Sequence, residues 1–509
     1  MARWEKFITA FLLLIALAYW VIVSVIPAVQ NPFFRDDYAF CFCASLVDNP
    51  LQAFSVVQTD LAWRPLTAIS WWAGWQLFGQ LQWPYAIPNW ILLIATALLW
   101  FILWRRWLGG GVWPLFAAVI LLFHPVAIGT ASWRDAIGDI VGGFMWIAAF
   151  LMYLHVRQKP RIWLLFLSLA CIVIALLYKE NTVIFPLFLI AWELLGWEKV
   201  KNNRWAWLRI APFVILVIGY LYYRSTLLGG PFAGNPFYRL ELWDLRLEND
   251  PWFPLTVWGN LVWAKGEIWT AIAGLAVLIG LVASSIILNR SRGGSKPMWF
   301  FLAWIILAIL PVIPALPSVA YDKLEYARIF HIPVIAILAM ITWIVGKTFP
   351  KNVHLWIGVF FLVIYGGVGW SQSKAWVQRV AADNDLINRV EQSIIAQGGG
   401  RGEKEIFMME AGDGHELIDY ALKLRDRNKF GRSIVWREPG PQMIAIHQDL
   451  LADDGSGFAL ETPFGYQKLK IGPYFHTLYY RTYPVHVDTS VKIYNLYIPG
   501  QRPIHIPRQ

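Results

Sequence analysis

A polytopic α-helical membrane protein with a small α+β domain at its C-terminal end is the fold class this sequence predicts, and three observations predict it. Apolar residues make up 58% of the 509 positions and charged residues only 15%, far from the balance of a soluble domain. The mean hydropathy is +0.49. Apolar runs of about 20 residues, the length that crosses a hydrocarbon layer, recur as far as residue 370 and stop there.

The formal charge of +10 does not mark a nucleic-acid binder. The bases cluster in short loops between apolar runs, which is the positive-inside pattern and not a stripe that tracks phosphates. Many of the 31 tryptophans fall near the ends of runs, where indole rings favour the headgroup zone. Cys41, Cys43 and Cys171 have no metal-ligand spacing and make no disulfide framework, and Cys41 and Cys43 are too close in sequence to bridge without strain. No period of about 20 to 50 residues suggests a repeat array. Arg3 and Lys6 precede an apolar run that is too long for a cleaved leader, so the N-terminus reads as an uncleaved signal anchor.

Taken in order, the predicted spans lie near 7 to 28, 87 to 104, 112 to 124, 136 to 154, 161 to 178, 181 to 197, 206 to 223, 268 to 288, 298 to 317, 328 to 346 and 354 to 370, about eleven in all. Residues 63 to 79 decide the topology. If they span, every later basic loop is inverted. If they lie along the surface, the loops carrying Arg105 and Arg106, then Arg157, Lys159 and Arg161, then Lys199, Lys201 and Arg204, then Arg290, Arg292 and Lys296, then Lys347 and Lys351 all fall inside with the N-terminus. The interfacial placement satisfies the charge rule at every loop and suits the Trp-rich, Arg64-Pro65 start.

That topology gathers most of the interrupting polar residues on the outer side: Asp36 and Asp37, the turn from His124 to Asp139, the turn Tyr178-Lys179-Glu180, a long loop near 225 to 255, and the turn from Tyr321 to Arg328. Polar groups at membrane depth cost around 2.5 to 3.5 kcal/mol each on insertion scales and therefore face a cavity or one another. A shared extracytoplasmic cavity is the expectation.

The predicted domains are a transmembrane unit over 1 to 370 and a soluble extracytoplasmic one over 371 to 509. In the latter, an amphipathic helix over 374 to 396 ends at Gly398-Gly399-Gly400. Alternating runs follow at 405 to 410, 433 to 438 and 476 to 487. His415, His447, His476, His486 and His505 have no ligand spacing and read as ordinary surface or core residues.

Each candidate has a bland reading beside the functional one. Asp36 and Asp37 follow a span where solvated acids are common. Lys179 and Glu180 can form an interfacial ion pair at a helix start. His124 before Pro125 suits a helix end, and Arg134, Asp135 and Asp139 can form a local salt-bridge cluster. Arg328 opens a span on the side that local charge bias disfavours, which points to an anion. Together the residues supply carboxylates that accept a proton and cations that steady a phosphate. Sugar transfer from a lipid phosphate requires both. The acceptor hydroxyl loses its proton as it attacks the anomeric carbon, and the departing phosphate gains charge.

The ordered stretches NPFFRDDYAF (31 to 40), WRPLTAIS (63 to 70), PYAIPNWILL (84 to 93), HPVAIGTASWRDAIGDIV (124 to 141), YKENTVIFP (178 to 186) and YARIFHIP (326 to 333) resemble the GT-C membrane glycosyltransferases. The similarity is greatest to the protein O-mannosyltransferase-like branch that includes the transmembrane and tetratricopeptide-repeat enzymes, and it covers residues 1 to 350. No tetratricopeptide repeats follow. The resemblance implies Asp36 as catalytic base, Asp37 beside it in acceptor or substrate binding, and Arg64, Lys179, Glu180 and Arg328 at the lipid phosphate. His124, Arg134, Asp135 and Asp139 would line the same cavity. The chain departs from the family pattern at Gly129, where a Glu belongs, at Ile137, where an Arg belongs, and at Ala86, where a His is expected.

The resemblance implies an inverting transfer of sugar from a polyprenyl-phosphate donor to a hydroxyl of a protein or glycan acceptor. The expected setting is the outer face of a prokaryotic plasma membrane, with the N-terminus cytoplasmic and the C-terminal domain extracytoplasmic. Membrane lipids are implied as partners and nucleic acid is not. No cofactor is obligatory; a divalent metal is possible but nothing indicates one. The rival expectation is a non-catalytic GT-C-like scaffold in an envelope assembly. A lipid-linked sugar transporter is a third, opposed by the lack of charges mid-span.

Overall fold

The computed structural model describes residues 3 to 45, 47 to 55, 63 to 197, 205 to 228, 296 to 315, 327 to 401 and 418 to 430. It also describes isolated helical positions between 272 and 283 and short strands between 405 and 496. The predicted span 268 to 288 and the loop 225 to 255 lie almost wholly outside these residues, as does the turn from 321 to 326. Among the described residues, six helices are long and apolar enough to cross a membrane, seven if a bent pair is one span. The protein is thus an integral membrane protein. Several predicted crossings are helical but short: Phe185–Leu195 has 11 residues and Lys296–Ile309 has 14.

The helices are α1 (Arg3–Trp20), α2 (Ile26–Gln30), α3 (Asp36–Ser45), α4 (Pro65–Phe78), α5 (Ile87–Leu108), α6 (Trp113–Phe123), α7 (Pro125–Ser132), α8 (Ile137–Gln158), α9 (Ile162–Tyr178), α10 (Phe185–Leu195), α11 (Ala206–Leu228), α12 (Lys296–Ile309), α13 (His331–Thr348) and α14 (His354–Ala396). A π-helical turn, Val21–Val25, joins α1 to α2. Pro opens α4, α5, α6, α7 and α10 in the first turn, where its missing N–H costs nothing. Glycines in the left-handed region stop α4 at Gly79 and α5 at Gly109, as helix C-termini favour.

The chain forms two compact units. The first comprises residues 1 to 30, 86 to 220 and 237 to 376. In it α8 packs on α9 and α5, α6 packs on α5 and α13, and α12 packs on α10 and α13. Its core is strongly aromatic. Trp100, Trp104, Trp192 and Trp304 are fully buried against Phe188, Phe300 and Phe301. These rings fill helix contacts and are not belt residues, whereas Trp163, Trp299 and Trp356 are exposed as belt residues would be. Between α6 and α7 the axis turns by 53° at His124-Pro125. His124 has the extended conformation that a following proline enforces, and its Nδ1 accepts the Val126 N–H at 3.2 Å.

The second unit comprises residues 31 to 85, 221 to 236 and 377 to 509. Its core joins α3, α4 and Tyr85 to the C-terminal half of α14 and the helix Ile418–Arg425 (α15). α4 has 14 residues, about 21 Å at 1.5 Å per residue and short of a crossing. α14 ends where Gly398 and Gly400 adopt positive φ, and the Gly399 N–H returns to Ile394 O at 3.0 Å. Beyond it, β1 (Glu405–Glu410) pairs in parallel with β2 (Ser433–Glu438). Between them run α15 and a short turn of helix, Arg427–Phe430 (α16), as a parallel connection requires. β7 (Lys492–Leu496) flanks β1 in parallel on its other side. β3 (Gln442–Ala445) pairs antiparallel with β6 (Thr477–Tyr480), and β4 (Leu460–Thr462) with β5 (Gly465–Gln467).

Candidate functional site

In the first unit, a turn of chain from Trp133 to Ala136 leads into α8, and Asp135 and Asp139 stand four residues apart, one helical turn, at this start. Each holds a cation. Arg328 Nη1 donates to Asp135 Oδ2, and the Arg328 guanidinium lies 3.6 Å from the centroid of the Trp133 ring, within cation–π range. Lys179 Nζ donates to Asp139 Oδ2 at 2.7 Å, and Asn181 Nδ2 donates to Asp139 Oδ1 at 3.3 Å. The pairs form two rungs of a ladder, with both acids and both cations largely buried. A buried charge persists only when paired and hydrogen-bonded, so within each rung the acid and the cation fix one another's geometry.

His331 opens α13 three residues after Arg328 and is 1% exposed. Its ring interacts electrostatically with Asp139, and its Nε2 has no hydrogen-bond partner among the described residues. Neighbouring Thr182 Oγ1 is likewise buried without one. A Cβ at Gly143 would stand 2.7 Å from the His331 ring, whereas one at Gly142 would meet only ordinary contacts at 3.5 and 3.7 Å. Gly143→Ala is therefore expected to lower stability by up to about 2 kcal/mol, overpacking of ~1–3 kcal/mol offset by ~1 kcal/mol of helix propensity. Gly142→Ala should be neutral or slightly stabilising. Thermal unfolding of the two variants in detergent measures the contrast.

The other predicted residues of this unit have structural partners. Arg134 is 1% exposed, and its Nη2 donates to Ala28 O at 2.7 Å, tying the end of the first span to the turn. Glu180 begins the short 3₁₀ turn before α10. Gly129 lies buried within α7. Ile137 begins α8, and Asp135 holds the Arg328 guanidinium from the preceding turn. Asn89 was not singled out in the sequence. Its Nδ2 donates to Trp133 O at 2.7 Å and Thr130 O at 3.2 Å, closing the end of α7. An amide at the start of an apolar span was the available signal.

In the second unit, Asp36 and Asp37 form the first turn of α3. Asp37 is fully buried, and its Oδ2 accepts the Phe34 N–H at 3.0 Å, the backward reach of a capping box. Asp36 is half-buried. Arg35, just before it, has φ +40°, a value no other described non-glycine residue takes on the positive side. Backbone strain of this kind costs about 1–3 kcal/mol and collects at functional sites. Arg35 Nε donates to Asp383 Oδ2 at 3.3 Å, and its guanidinium lies 5.3 Å from the Phe34 ring centroid. Arg64 precedes the first residue of α4.

Cys41 is fully buried. Burial pushes its thiol up to about 12; the Tyr85 hydroxyl, 3.7 Å away, lowers it a little and the Asp37 charge raises it. The thiolate is the reactive form, and burial holds this group as the unreactive thiol. Peptide mass spectrometry is expected to find Cys41 unlabelled by iodoacetamide at pH 8 in native protein, and labelled after denaturation.

Among the described residues, no group of three or more His, Cys, Asp or Glu stands ready to hold a metal ion. What the arrangement offers is a bundle of apolar helices with an internal ionic ladder, and beside it in sequence a strained, acid-bearing helix start. This defines a polytopic helical membrane protein with charged groups held in an apolar setting.

Its backbone is similar to ArnT from Cupriavidus metallidurans in the apo state, with a TM-score of 0.46 and 14% identity over 82% of this chain and 84% of that one. It is also similar to ArnT from the same organism bound to undecaprenyl phosphate, with a TM-score of 0.45 and 14% identity over 89% and 97%. A third likeness is to the oligosaccharyltransferase of Archaeoglobus fulgidus in complex with Zn and sulfate, with a TM-score of 0.41 and 11% identity over 83% of this chain and 61% of that one. No family model and no curated protein matches the sequence.

Proposed function

We propose that this protein is an integral membrane glycosyltransferase of GT-C type, which moves a sugar from a polyprenyl-phosphate donor to a hydroxyl of a protein or glycan acceptor. The single observation that supports it most is the ladder of Arg328 with Asp135 and Lys179 with Asp139. Ionic groups buried among apolar spans pair with one another or line a polar cavity, and this ladder stands on the turns that the family resemblance places at the lipid phosphate. In this reading Asp36 is the base that takes the acceptor proton, with Asp37 beside it in acceptor or substrate binding. Arg64, Lys179, Glu180 and Arg328 attend the lipid phosphate, with His124, Arg134, Asp135 and Asp139 around them. Cations aimed at a leaving phosphate lower the barrier because its charge grows in the transition state. A single displacement inverts the anomeric centre, and no metal is obligatory.

The reading places a transmembrane domain at residues 1 to 370 and an extracytoplasmic domain at 371 to 509. The N-terminus is cytoplasmic and the membrane is a prokaryotic plasma membrane. The test is transfer of radiolabel from a polyprenyl-phosphate hexose by purified protein in vesicles. A second reading, a non-catalytic GT-C-like scaffold of the cell envelope, is favoured by one observation: each cation of the ladder is matched by a carboxylate, so these four side chains carry no surplus positive charge for a phosphate. Label left wholly on the donor lipid, with a partner bound through residues 371 to 509, would establish the scaffold instead.

A further inference from the structure

The second unit contains a cavity of about 110 Å³ lined by Phe33, Tyr38, Gln80, Gln82, Asn384 and Arg425, among others. We infer that this cavity is a binding site for one neutral, hydroxyl-bearing ring, a single saccharide unit. Three amides carry the inference. Gln80 Nε2 donates to Leu424 O at 2.9 Å, Gln82 Oε1 accepts the Phe33 N–H at 2.6 Å, and Asn384 Oδ1 accepts from Arg425 Nη2 at 2.6 Å. Each amide is thus anchored through one of its two functions. The other function, a carbonyl on Gln80 and an NH₂ group on Gln82 and on Asn384, has no partner among the described residues. Fixed single donors and acceptors of both kinds match hydroxyl groups, which both donate and accept.

Charge excludes the rival ligands. Arg425 also donates from Nη1 to Glu391 at 3.0 Å and to Asn388 at 2.7 Å, so its guanidinium is neutralised and held as wall. An anion gains no surplus cation there, and a cation meets no surplus acid. Phe33 and Tyr38, which stand edge to face 5.7 Å apart at 90°, both line the cavity and give it an apolar wall for the C–H groups of a pyranose. The volume is below the ~300 Å³ of sites for drug-sized ligands and suits one ring, not an extended glycan.

Tyr38 and Cys41 are contributed by α3, the helix that Asp36 and Asp37 begin. Asp37 and Cys41 stand four residues apart, on one helix face, so the helix that begins with the two acids also supplies part of the cavity wall. This names the acceptor class, a glycan, and it rests on the glycosyltransferase reading only for the ring's role as acceptor; the binding itself does not.

The test titrates full-length protein in lipid nanodiscs with methyl α-mannopyranoside and methyl β-glucopyranoside, followed by saturation-transfer NMR, with glucuronate and inorganic phosphate as anionic arms. Gln82→Glu keeps the oxygen that accepts from Phe33 N–H and replaces the NH₂ group. Asn384→Asp does the same toward Arg425. Saturable binding of a neutral glycoside, weakened tenfold or more by either variant with an unchanged unfolding midpoint, is the expected result. No saturable binding of either glycoside, binding of the anions in preference, or affinity that neither variant alters overturns the assignment. If Gln82→Glu fails to fold, Asn384→Asp decides alone. Glycoside binding without any transfer would overturn the enzyme reading and leave the cavity assigned.

Discussion

Replacing Asp36 by Asn is expected to cut sugar transfer from a polyprenyl-phosphate hexose by about 10² to 10⁴, the usual contribution of a positioned general base. The loss should appear in kcat with little change in KM, because proton removal is an interaction of the transition state and not of the bound ground state. Asn is nearly isosteric and still lies in the first turn of α3, while the cap made by Asp37 to the Phe34 N–H at 3.0 Å is untouched. An unchanged unfolding midpoint therefore accompanies the lost activity. The comparison runs parent and variant side by side with the same radiolabelled donor. Equal initial rates would remove Asp36 from the chemistry. Asp36→Glu, which keeps a carboxylate on a longer arm, should fall between the two.

The largest expected loss of stability comes from Glu193→Leu. Glu193 is 9% exposed and lies within the apolar helix α10, where its Oε1 accepts from Tyr153 Oη at 2.6 Å and from Arg157 Nε at 2.9 Å. Arg209 approaches the same carboxylate at 3.8 Å, and the Arg157 guanidinium also lies 5.8 Å from the Trp192 ring centroid. Removing the acid leaves Arg157 buried without its counter-charge, which costs about 3–5 kcal/mol. Thermal or denaturant unfolding in detergent should show a lowered midpoint. The double variant Arg157→Leu/Glu193→Leu should recover most of the loss, because the uncompensated charge and not the missing pair is the penalty. A single variant as stable as the parent would show that water reaches Arg157.

The two variants test different levels. Asp36→Asn leaves packing in place and removes one proton acceptor, so it reports on function. Glu193→Leu acts on a cluster with no place in the proposed chemistry, so activity per folded molecule should be kept. A loss of transfer beyond the loss of folded protein would tie the cluster to the reaction.

Much of the helical framework was legible in the sequence. The first-turn prolines of α4 to α7 and α10 are local signals, since a proline fixes its own φ and lacks only an N–H that a helix start does not use. The glycines after α4, α5 and α14 likewise fall where the backbone turns left-handed. The lengths of α10 and α12 were less legible, because an apolar run continues through a helix break without changing composition. The burial of Trp100, Trp104, Trp192 and Trp304 was hidden for a related reason: an indole near the end of an apolar run reads the same whether it meets headgroups or another ring.

What the sequence by itself determined is that this chain is a many-helix membrane protein with acids and bases at the ends of its apolar runs. Hydropathy and helix capping are properties of neighbouring residues, and no folding is needed to read them. Only the tertiary structure decided which charges meet: Asp139 takes Lys179 and Asp135 takes Arg328 across gaps of 40 and 193 residues. It alone joined Phe33, Gln82 and Tyr38 to Asn384 and Arg425 around one cavity. The physical reason is that an ion pair or a pocket wall depends on distance in space, which a buried charge enforces but does not announce along the chain.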